Sequence, residues 1–535
     1  MNPREVTLPE MLAARERRVD IQTQMLESAM ELVRTSAHAH KIGNPQESCP
    51  DKAYVPFSSD VTLVSFTMNI AGPLKNNDRI LRAFHIGTEE LELSLRRCRI
   101  HILDKYEINE ATGNEAFYTV DAPALAVKRI CCEMEDNDEL GRLYDMDVLA
   151  WSPASDPVKI ERQALGFPER SCLICGAPGK DCASRRVHTV AQLQEKTRQI
   201  IDAALEDRDI SRVTEYAVRS LLYEVCTTPK PGLVDRNNSG SHNDMDIYTF
   251  MKSAASLYPY FERCFAIGRG GALRAETPRM TFSKLRVPGK FAENRMLRAT
   301  DGVNTHKGAI FTMGIVCGAL GRLSVLDVTD QYDPARVAQE CAAMTEGIVA
   351  EDMSKIYINE DNAGSLCVDP SALPHLTHGQ RLYLEYGITG VRGQIEAGLP
   401  AVIEHGLPLL ERLLDEGKSE DEAGTAVLLT IIAHTDDTNI ITRSDVQTQR
   451  REARRAARIL DELYPAAADD ANCPASGSGS PADGSDCTAE SSGRAADYRS
   501  VLEALDADYI SRHLSPGGSA DLLAVCWMLH FCRSL

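Results

Sequence analysis

Two kinds of apolar patterning divide this chain. From the N-terminus to about residue 195, helix-like and strand-like spacings alternate. LPEMLAARERRVDIQTQMLESAMELVRT carries Met11, Leu12, Ile21, Met25, Met30, Leu32 and Val33 at roughly helical spacing and predicts a helix. DVTLVSFTMNI, dense in β-branched and aromatic residues, predicts a buried strand. LELSLRRCRIHIL, AFYTVDA and YDMDVLAW add further mixed segments. From residue 196 the pattern changes. SRVTEYAVRSLLYEVC, AIFTMGIVCGALGRLSVL, ARVAQECAAMTEGIVAEDM, GTAVLLTIIAHT and ADLLAVCWMLHFC are amphipathic or wholly apolar at helical length, and strand patterns are almost absent. The prediction is a multidomain protein, with an α+β domain over 1–195 and an all-α domain over 196–535.

One stretch departs from both patterns. Residues 465–492 are rich in Ala, Ser, Gly and Asp, a composition with too little apolar surface to offset the entropy of ordering. They predict a disordered insertion within the helical domain, because helical spacing resumes at YRSVLEALDADYISRHL.

Bulk composition narrows the function classes. With 535 residues, two or three cores are expected. A formal net charge of −20 argues against nucleic-acid binding, which needs a basic field. No apolar run reaches membrane-spanning length, and the charged N-terminus lacks a signal-peptide core, so a cytoplasmic protein is expected. That compartment keeps most of the 16 cysteines as thiols.

In the helical block, five polar stretches, four of them containing Gly, each flank an apolar helix. They are TTPKPGLVDRNNSGSHNDM (227–245), GVNTHKGAIF (302–311), YGITGVRGQIEAG (386–398), HTDDTNIITR (434–443) and SPGGSADLLA (515–524). Glycine lets the backbone approach an oxyanion closely, and helix N-termini offer unpaired N–H groups at the positive end of a dipole. Ser519 is a candidate N-cap beside Gly517 and Gly518. Lys230, Lys307, Arg392 and Arg443 could contact phosphate; Asp235, Asp436, Asp437 and Asp521 could hold Mg²⁺ or act as acid and base. Any one of these stretches could be an ordinary helix start; their co-occurrence points to a phosphorylated ligand.

The first block carries two constellations. GRLYDMDVLAW sets Asp145 and Asp147 two apart on a predicted strand, hence on one face. Two adjacent carboxylates repel unless a cation lies between them, so the pair is a candidate Mg²⁺ site; the alternative is a solvated strand face. RSCLICGAPGKDCASRRVH contains Cys172, Cys175, Cys182 and His188, which could ligate Zn²⁺, although the spacing matches no standard zinc finger. The alternatives are structural thiols, or a basic helix start with Arg185, Arg186 and His188 facing phosphates.

The set TPKPGLVDRNNSGSHNDM, GVNTHKGAIF, GVRGQIEAGLP, DTNIITR and SPGGSADLLA closely resembles the triphosphoribosyl-dephospho-CoA synthase family, from about residue 210 to the end. The resemblance implies a reaction of ATP with dephospho-CoA that releases adenine, the ribose 2′-hydroxyl attacking the anomeric carbon of ATP. It implies a triphosphate clamp from Lys230, Lys307 and the Gly517–Gly518 backbone, with Asn304 in the same loop. Asp437 or Asp436 would be base or Mg²⁺ ligand, with Asp235 and Asp521 next. His306, with an ordinary pKa near neutrality, could protonate adenine or merely brace its loop. The sequence departs from the family at Gln394, where an acidic residue is expected after GVRG; Glu396 is the nearest substitute.

VTLPEMLAARERRVDIQ, VSFTMNIAGPLK, GRLYDMDV and ERSCLICGAPGKDCASRRVH resemble the apo-citrate lyase phosphoribosyl-dephospho-CoA transferase family (holo-citrate lyase synthase), over about 5–195. This implies a nucleotidyltransferase-like domain. A serine hydroxyl of the acyl carrier (gamma) subunit of citrate lyase attacks the phosphate next to the ribose, and pyrophosphate leaves. Asp145 and Asp147 would hold Mg²⁺; Lys75, Arg142 and Arg162 would neutralise the triphosphate, with Arg15, Arg17 and Arg18 as further candidates. The two families catalyse consecutive steps. The same chemistry serving malonate decarboxylase, a non-catalytic CoA- or nucleotide-binding regulator, and a zinc-containing scaffold are the competing readings.

Overall fold

The computed structural model describes residues 4–42, 61–152, 155–326, 331–354, 358–360, 366–368, 378–464, 489–533 and 535. It forms two compact units, Met1–Arg208 and Asp209–Leu535, divided within the helix Val190–Cys226.

The first unit is built on a five-stranded antiparallel sheet. Its strands are β1 (Val61–Met68), β2 (His101–Glu110), β3 (Gly113–Asp121), β4 (Tyr144–Ser152) and β5 (Ser155–Lys159), in the order β2-β3-β1-β4-β5. β1 is central and covered on both faces, which is why VTLVSF reads as a continuous run rather than an alternation. Val64 and Phe66 meet the helices Asp78–Arg97 and Ala124–Asn137, while Val61 and Leu63 meet Met25, Leu26 and Ala29 of the helix Leu8–Ile42. The helix Asp78–Arg97 buries Ile80, Ala83, Phe84, Gly87, Leu91 and Leu95 at three- and four-residue spacing, and Asn77 caps it by accepting from the Ile80 N–H at 2.8 Å. LELSLRRCRIHIL, ambiguous in sequence, is the end of that helix followed by β2.

The second unit is helical among its described residues, except for a short antiparallel ribbon of Ile358–Glu360 with Leu366–Val368. This is a departure from the all-α expectation. Its centre is formed by the helices Lys307–Leu323, Glu420–His434 and Gly517–Cys532, which are buried nearly all round. Burial on every side explains why their sequences lack a polar stripe. The helix Tyr258–Leu273 approaches Lys307–Leu323 so closely that a Cβ on Gly268 would lie 2.0 Å from the Gly318 carbonyl oxygen. Of the segment expected to be an insertion, 465–488 lies outside the described residues, and 489–492 begin the helix Ala489–Ser511. Among the described residues, no helix is long and apolar enough to cross a membrane.

Candidate active sites

In the second unit, the five polar stretches converge on one cavity of about 510 Å³. They converge because buried helices end there. Lys307–Leu323 and Gly517–Cys532 begin at the cavity, and neither has a side-chain hydrogen bond from its N-cap residue, His306 or Pro516. The 434–443 stretch follows Glu420–His434, and the 227–245 stretch follows Val190–Cys226. Gly232, at φ +70°, sets the 227–245 stretch against the residue preceding SPGGSADLLA: a Cβ there would lie 2.2 Å from the Leu514 carbonyl oxygen.

Lys230, Asn304, His306, Lys307, Arg392, Arg443, Gly517, Gly518 and Asp521 all line the cavity. Their electrostatic states differ. Lys307 is well exposed, its side chain 61% accessible, and lies 3.3 Å from Glu293. Arg392 stacks its guanidinium over Phe311 at 5.4 Å and lies 3.7 Å from Asp352. Arg443 donates to the carbonyls of Ser241 (3.1 Å) and His513 (3.4 Å) and lies beside His242. Lys230 is different: it is buried and ion-paired with the buried Glu224, so its charge is already compensated.

Burial, then the Lys230 charge, pushes His306 down to about 3. This corrects the expectation of a near-neutral acid. Thr305 Oγ1 donates to Ser253 Oγ at 2.7 Å, leaving the Ser253 proton for His306 Nδ1 at 2.6 Å. Nδ1 is then an acceptor and Nε2 carries the hydrogen. That Nε2 is buried and has no hydrogen-bond partner.

Two carboxylates expected at the chemistry are committed to structure. Asp437 is buried, and its Oδ2 accepts from the Ser519 N–H (2.7 Å) and hydroxyl (2.8 Å). Its Oδ1 accepts from the N–H groups of Asn439 (2.9 Å) and Ile440 (3.3 Å). With four donors on two oxygens, the lone pairs a metal or a substrate proton would need are occupied. Ser519, the expected N-cap, is instead held by Asp437. Asp235 likewise accepts from the backbone of Lys230, Asn237 and Asn238 and shapes the 230–238 turn. Asp436 lines an adjoining pocket of about 150 Å³ rather than the main cavity. Glu396 does not substitute for the acidic residue missing at Gln394: it accepts from the N–H groups of Gly347 (2.8 Å) and Val349 (2.9 Å), while Gln394 accepts from that of Ala401.

The carboxyls facing the cavity are Asp521, Glu224, Glu293 and Asp244. Asp521 lies against the start of Lys307–Leu323, where a Cβ on Gly308 would fall 1.8 Å from its Oδ2. Burial, followed by the charges of Glu224 and Asp437, pushes it well above the ordinary carboxylate range, against a hydrogen bond from Ala309. Burial also raises Glu224, while Lys230 pulls it back. Glu224 carried no motif and was not anticipated; it sits in the last turn of the helix Val190–Cys226, within LLYEVC, and its only signal was a charge inside an apolar run.

In the first unit, β4 places Tyr144, Met146 and Val148 on the face of the paired helices and Asp145 and Asp147 on the opposite face, as period two requires. Register aligns Glu115, Thr67 and Asp145 across β3, β1 and β4, with Phe117, Ser65 and Asp147 in the next row. Asp145 is exposed, and Asp147 pairs with Lys159 at 2.5 Å. Glu115 is buried and receives Arg18 through two bonds of 3.0 and 2.6 Å. Asp145 and Asp147 also contribute to raising the Arg18 pKa, after the Glu115 hydrogen bond. Glu115 and Lys159 were not anticipated: strand pairing brings Glu115 opposite Thr67, and Lys159, in register with Leu149, reaches Asp147 through its side chain. Arg17 pairs with Glu110 at 2.8 Å.

The three expected triphosphate cations are engaged elsewhere. Arg162 is buried against Asp136 (2.6 Å) and Glu135 (3.5 Å). Arg142 donates to the Ser171 carbonyl, and Lys75 to that of Ile70 at 2.5 Å. Cys172, Cys175, Cys182 and His188 do come together, with one ligand atom from each inside a sphere of mutual distances up to 4.8 Å.

Comparison with known proteins agrees with this two-part layout. A family model described as apo-citrate lyase phosphoribosyl-dephospho-CoA transferase (CitX) matches residues 52–204, and one described as ATP:dephospho-CoA triphosphoribosyl transferase (CitG) matches 210–535. The chain is 29% identical over 467 residues to Protein CitXG of Leuconostoc mesenteroides subsp. cremoris, covering 86% of this chain and 89% of that one. It is 31% identical over 480 residues to Protein CitXG of Haemophilus influenzae, covering 87% and 89%. The chain therefore belongs to the CitXG family, a CitX transferase and a CitG triphosphoribosyl transferase joined in that order.

Proposed function

We propose that this bifunctional transferase makes the citrate lyase prosthetic group precursor in its Asp209–Leu535 unit and attaches it to the apo acyl carrier subunit through its Met1–Arg208 unit. The observation that carries the first step is the convergence of five polar stretches, the N-termini of the helices Lys307–Leu323 and Gly517–Cys532, and the cations Lys307, Arg392 and Arg443 on one cavity. The positive ends of two helix dipoles together with cations already in place stabilise a triphosphate.

In that cavity the 2′-hydroxyl of dephospho-CoA attacks the anomeric carbon of ATP; the new C–O bond forms as the bond to adenine breaks. Asp521, kept protonated by burial, hands its proton to the departing base, and Glu224 accepts the hydroxyl proton. Carboxyls in contrasting surroundings suit these opposite roles. The His306 Nε2–H is a neutral donor to ATP rather than a cationic acid. Asp437 is a positioning residue that locks the Gly517–Ser519 turn to the Thr438–Arg443 turn.

In the first unit, a carrier serine hydroxyl attacks the phosphorus next to the ribose, and pyrophosphate departs. The Asp145–Asp147 pair, on one face of β4 with Asp145 exposed, fits Mg²⁺, a hard cation that takes oxygen ligands; Glu115, in the row of Asp145, is buried and already held by Arg18. Bound there it would polarise the attacked phosphate. Arg18 and Lys159, paired on this face with Glu115 and Asp147, would neutralise the triphosphate in place of Arg142, Arg162 and Lys75 by exchanging those partners for it.

The test is mass spectrometry of apo acyl carrier subunit incubated with the protein, ATP, dephospho-CoA and Mg²⁺. A phosphoribosyl-dephospho-CoA adduct on serine, with adenine and pyrophosphate released, is expected. Absence of both adenine and adduct would overturn the proposal. Modification of the malonate decarboxylase carrier alone would redirect it to that complex.

A further inference from the structure

We propose that Cys172, Cys175, Cys182 and His188 form a closed Zn²⁺ site that braces the turn leading into β4. The four ligand atoms lie within 4.8 Å of one another. A tetrahedral zinc with bonds of ~2.3 Å to sulfur and ~2.0 Å to nitrogen needs ligand separations of roughly 3.5–3.8 Å, so small side-chain rotations suffice. Cys175 Sγ and Cys182 Sγ are already 3.4 Å apart.

The backbone is shaped for such a centre. Residues 171–178 form a tight loop closed by the Cys172 N–H donating to the Ala177 carbonyl at 2.6 Å and by the Ser171–Pro178 bridge. Gly176, at φ +74°, allows the reversal directly after Cys175. The Ile174 N–H lies 3.5 Å from Cys172 Sγ, an arrangement that favours a thiolate. Cys182 is presented by the short helix Gly179–Ser184, and the Val187 N–H returns to the Cys182 carbonyl just before His188. A second observation points to a missing ligand: His188 Nε2 is buried without a hydrogen-bond partner. Three thiols and an imidazole select zinc over hard cations, and four protein ligands leave no open position, the signature of a structural site. Binding releases to solvent the protons of those cysteines still held as thiols.

The loop is coupled to the Asp145–Asp147 row through arginines. Arg170 donates to the carbonyls of Gly141 (2.8 Å), Arg142 (3.1 Å) and Tyr144 (2.5 Å), and Arg142 returns a hydrogen bond to the Ser171 carbonyl. The Gly141–Tyr144 turn enters β4 immediately before Asp145. Zinc would thus hold the loop that holds the turn, which makes these four residues positioning residues for the transfer step. That last link rests on the function proposed above; the metal site does not.

The experiment is elemental analysis of the full chain, purified under reducing conditions without chelator. One zinc per chain is expected, falling to background in Cys175→Ser and Cys182→Ser and retained in His188→Cys, which preserves four ligands and controls for misfolding. Cobalt substitution should give the intense visible bands of tetrahedral thiolate coordination. Stripping zinc should lower carrier modification while leaving adenine release unchanged, and zinc should restore it. A protein that takes up no zinc, that holds iron instead, or that carries a Cys175–Cys182 disulfide would overturn the site. Zinc present but removable without effect on carrier modification would overturn the bracing role.

Discussion

At the scale of single residues, burial decides what each ionisable group can do. His306 should not titrate near neutrality: its imidazole signals in NMR should stay constant from pH 8 to 5. Because its folded pKa, about 3, lies below the unfolded value, the unfolded chain takes up the proton first. The sign follows: stability falls as pH drops below about 6.5, by about 1.4 kcal/mol per unit until the folded pKa is reached. His306→Asn should remove that part of the slope in urea unfolding followed against pH. Asp437→Ala should cost about 2–4 kcal/mol, since four donors lose their acceptor inside the fold. Lys230→Met, which leaves Glu224 buried and unpaired, should cost about 3–5 kcal/mol, and Glu224→Gln in the same chain should recover part of it. The residue types at these positions were legible as phosphate or metal chemistry. Their commitments were legible only in part: DTN could be read as a simple N-cap, and Asp437 does accept from Asn439 and Ile440, but its Ser519 donors and the Gly347 donor to Glu396 lie 82 and 49 residues away.

At the scale of elements, helix ends make the cavity and strand register makes the carboxylate row. Gly308→Ala is a sharp test of the first. Its new Cβ would fall on Asp521, so either the helix start or the carboxyl must move. Adenine release should fall roughly 100-fold, the usual effect of displacing a reacting group by about an ångström. The helix itself gains propensity from the change, so circular dichroism should show helicity preserved. The row in the first unit obeys the two-residue period of β4, and that period was readable from YDMDVLAW. Which neighbours share the row was not, because Glu115 and Thr67 reach it only through the pairing of β3 with β1 and of β1 with β4. The apolar helices were legible as helices from their length and composition, whereas the strands Ile358–Glu360 and Leu366–Val368 have no pattern strong enough to predict them.

At the scale of the whole molecule, two chemistries occupy two compact units, and their independence is measurable. Asp147→Asn should lower pyrophosphate release by roughly 100-fold or more while adenine release continues at the parental rate. Loss of both activities together would contradict separate sites. By itself the sequence determined the two-part organisation, the apolar helices, the strand that carries Asp145 and Asp147, and the family, because these depend on local periodicity and on contiguous motifs. Tertiary structure alone decided which polar groups face the cavity and which hold the fold. It turned Asp437 from a candidate base into a clamp, brought Glu224 and Asp521 to the cavity, and drew Cys172, Cys175, Cys182 and His188 within ligand distance of one another. The physical reason is common to all three. A side chain's charge state and free lone pairs are set by desolvation and by hydrogen-bond partners distant in the chain, and neither is written in local spacing.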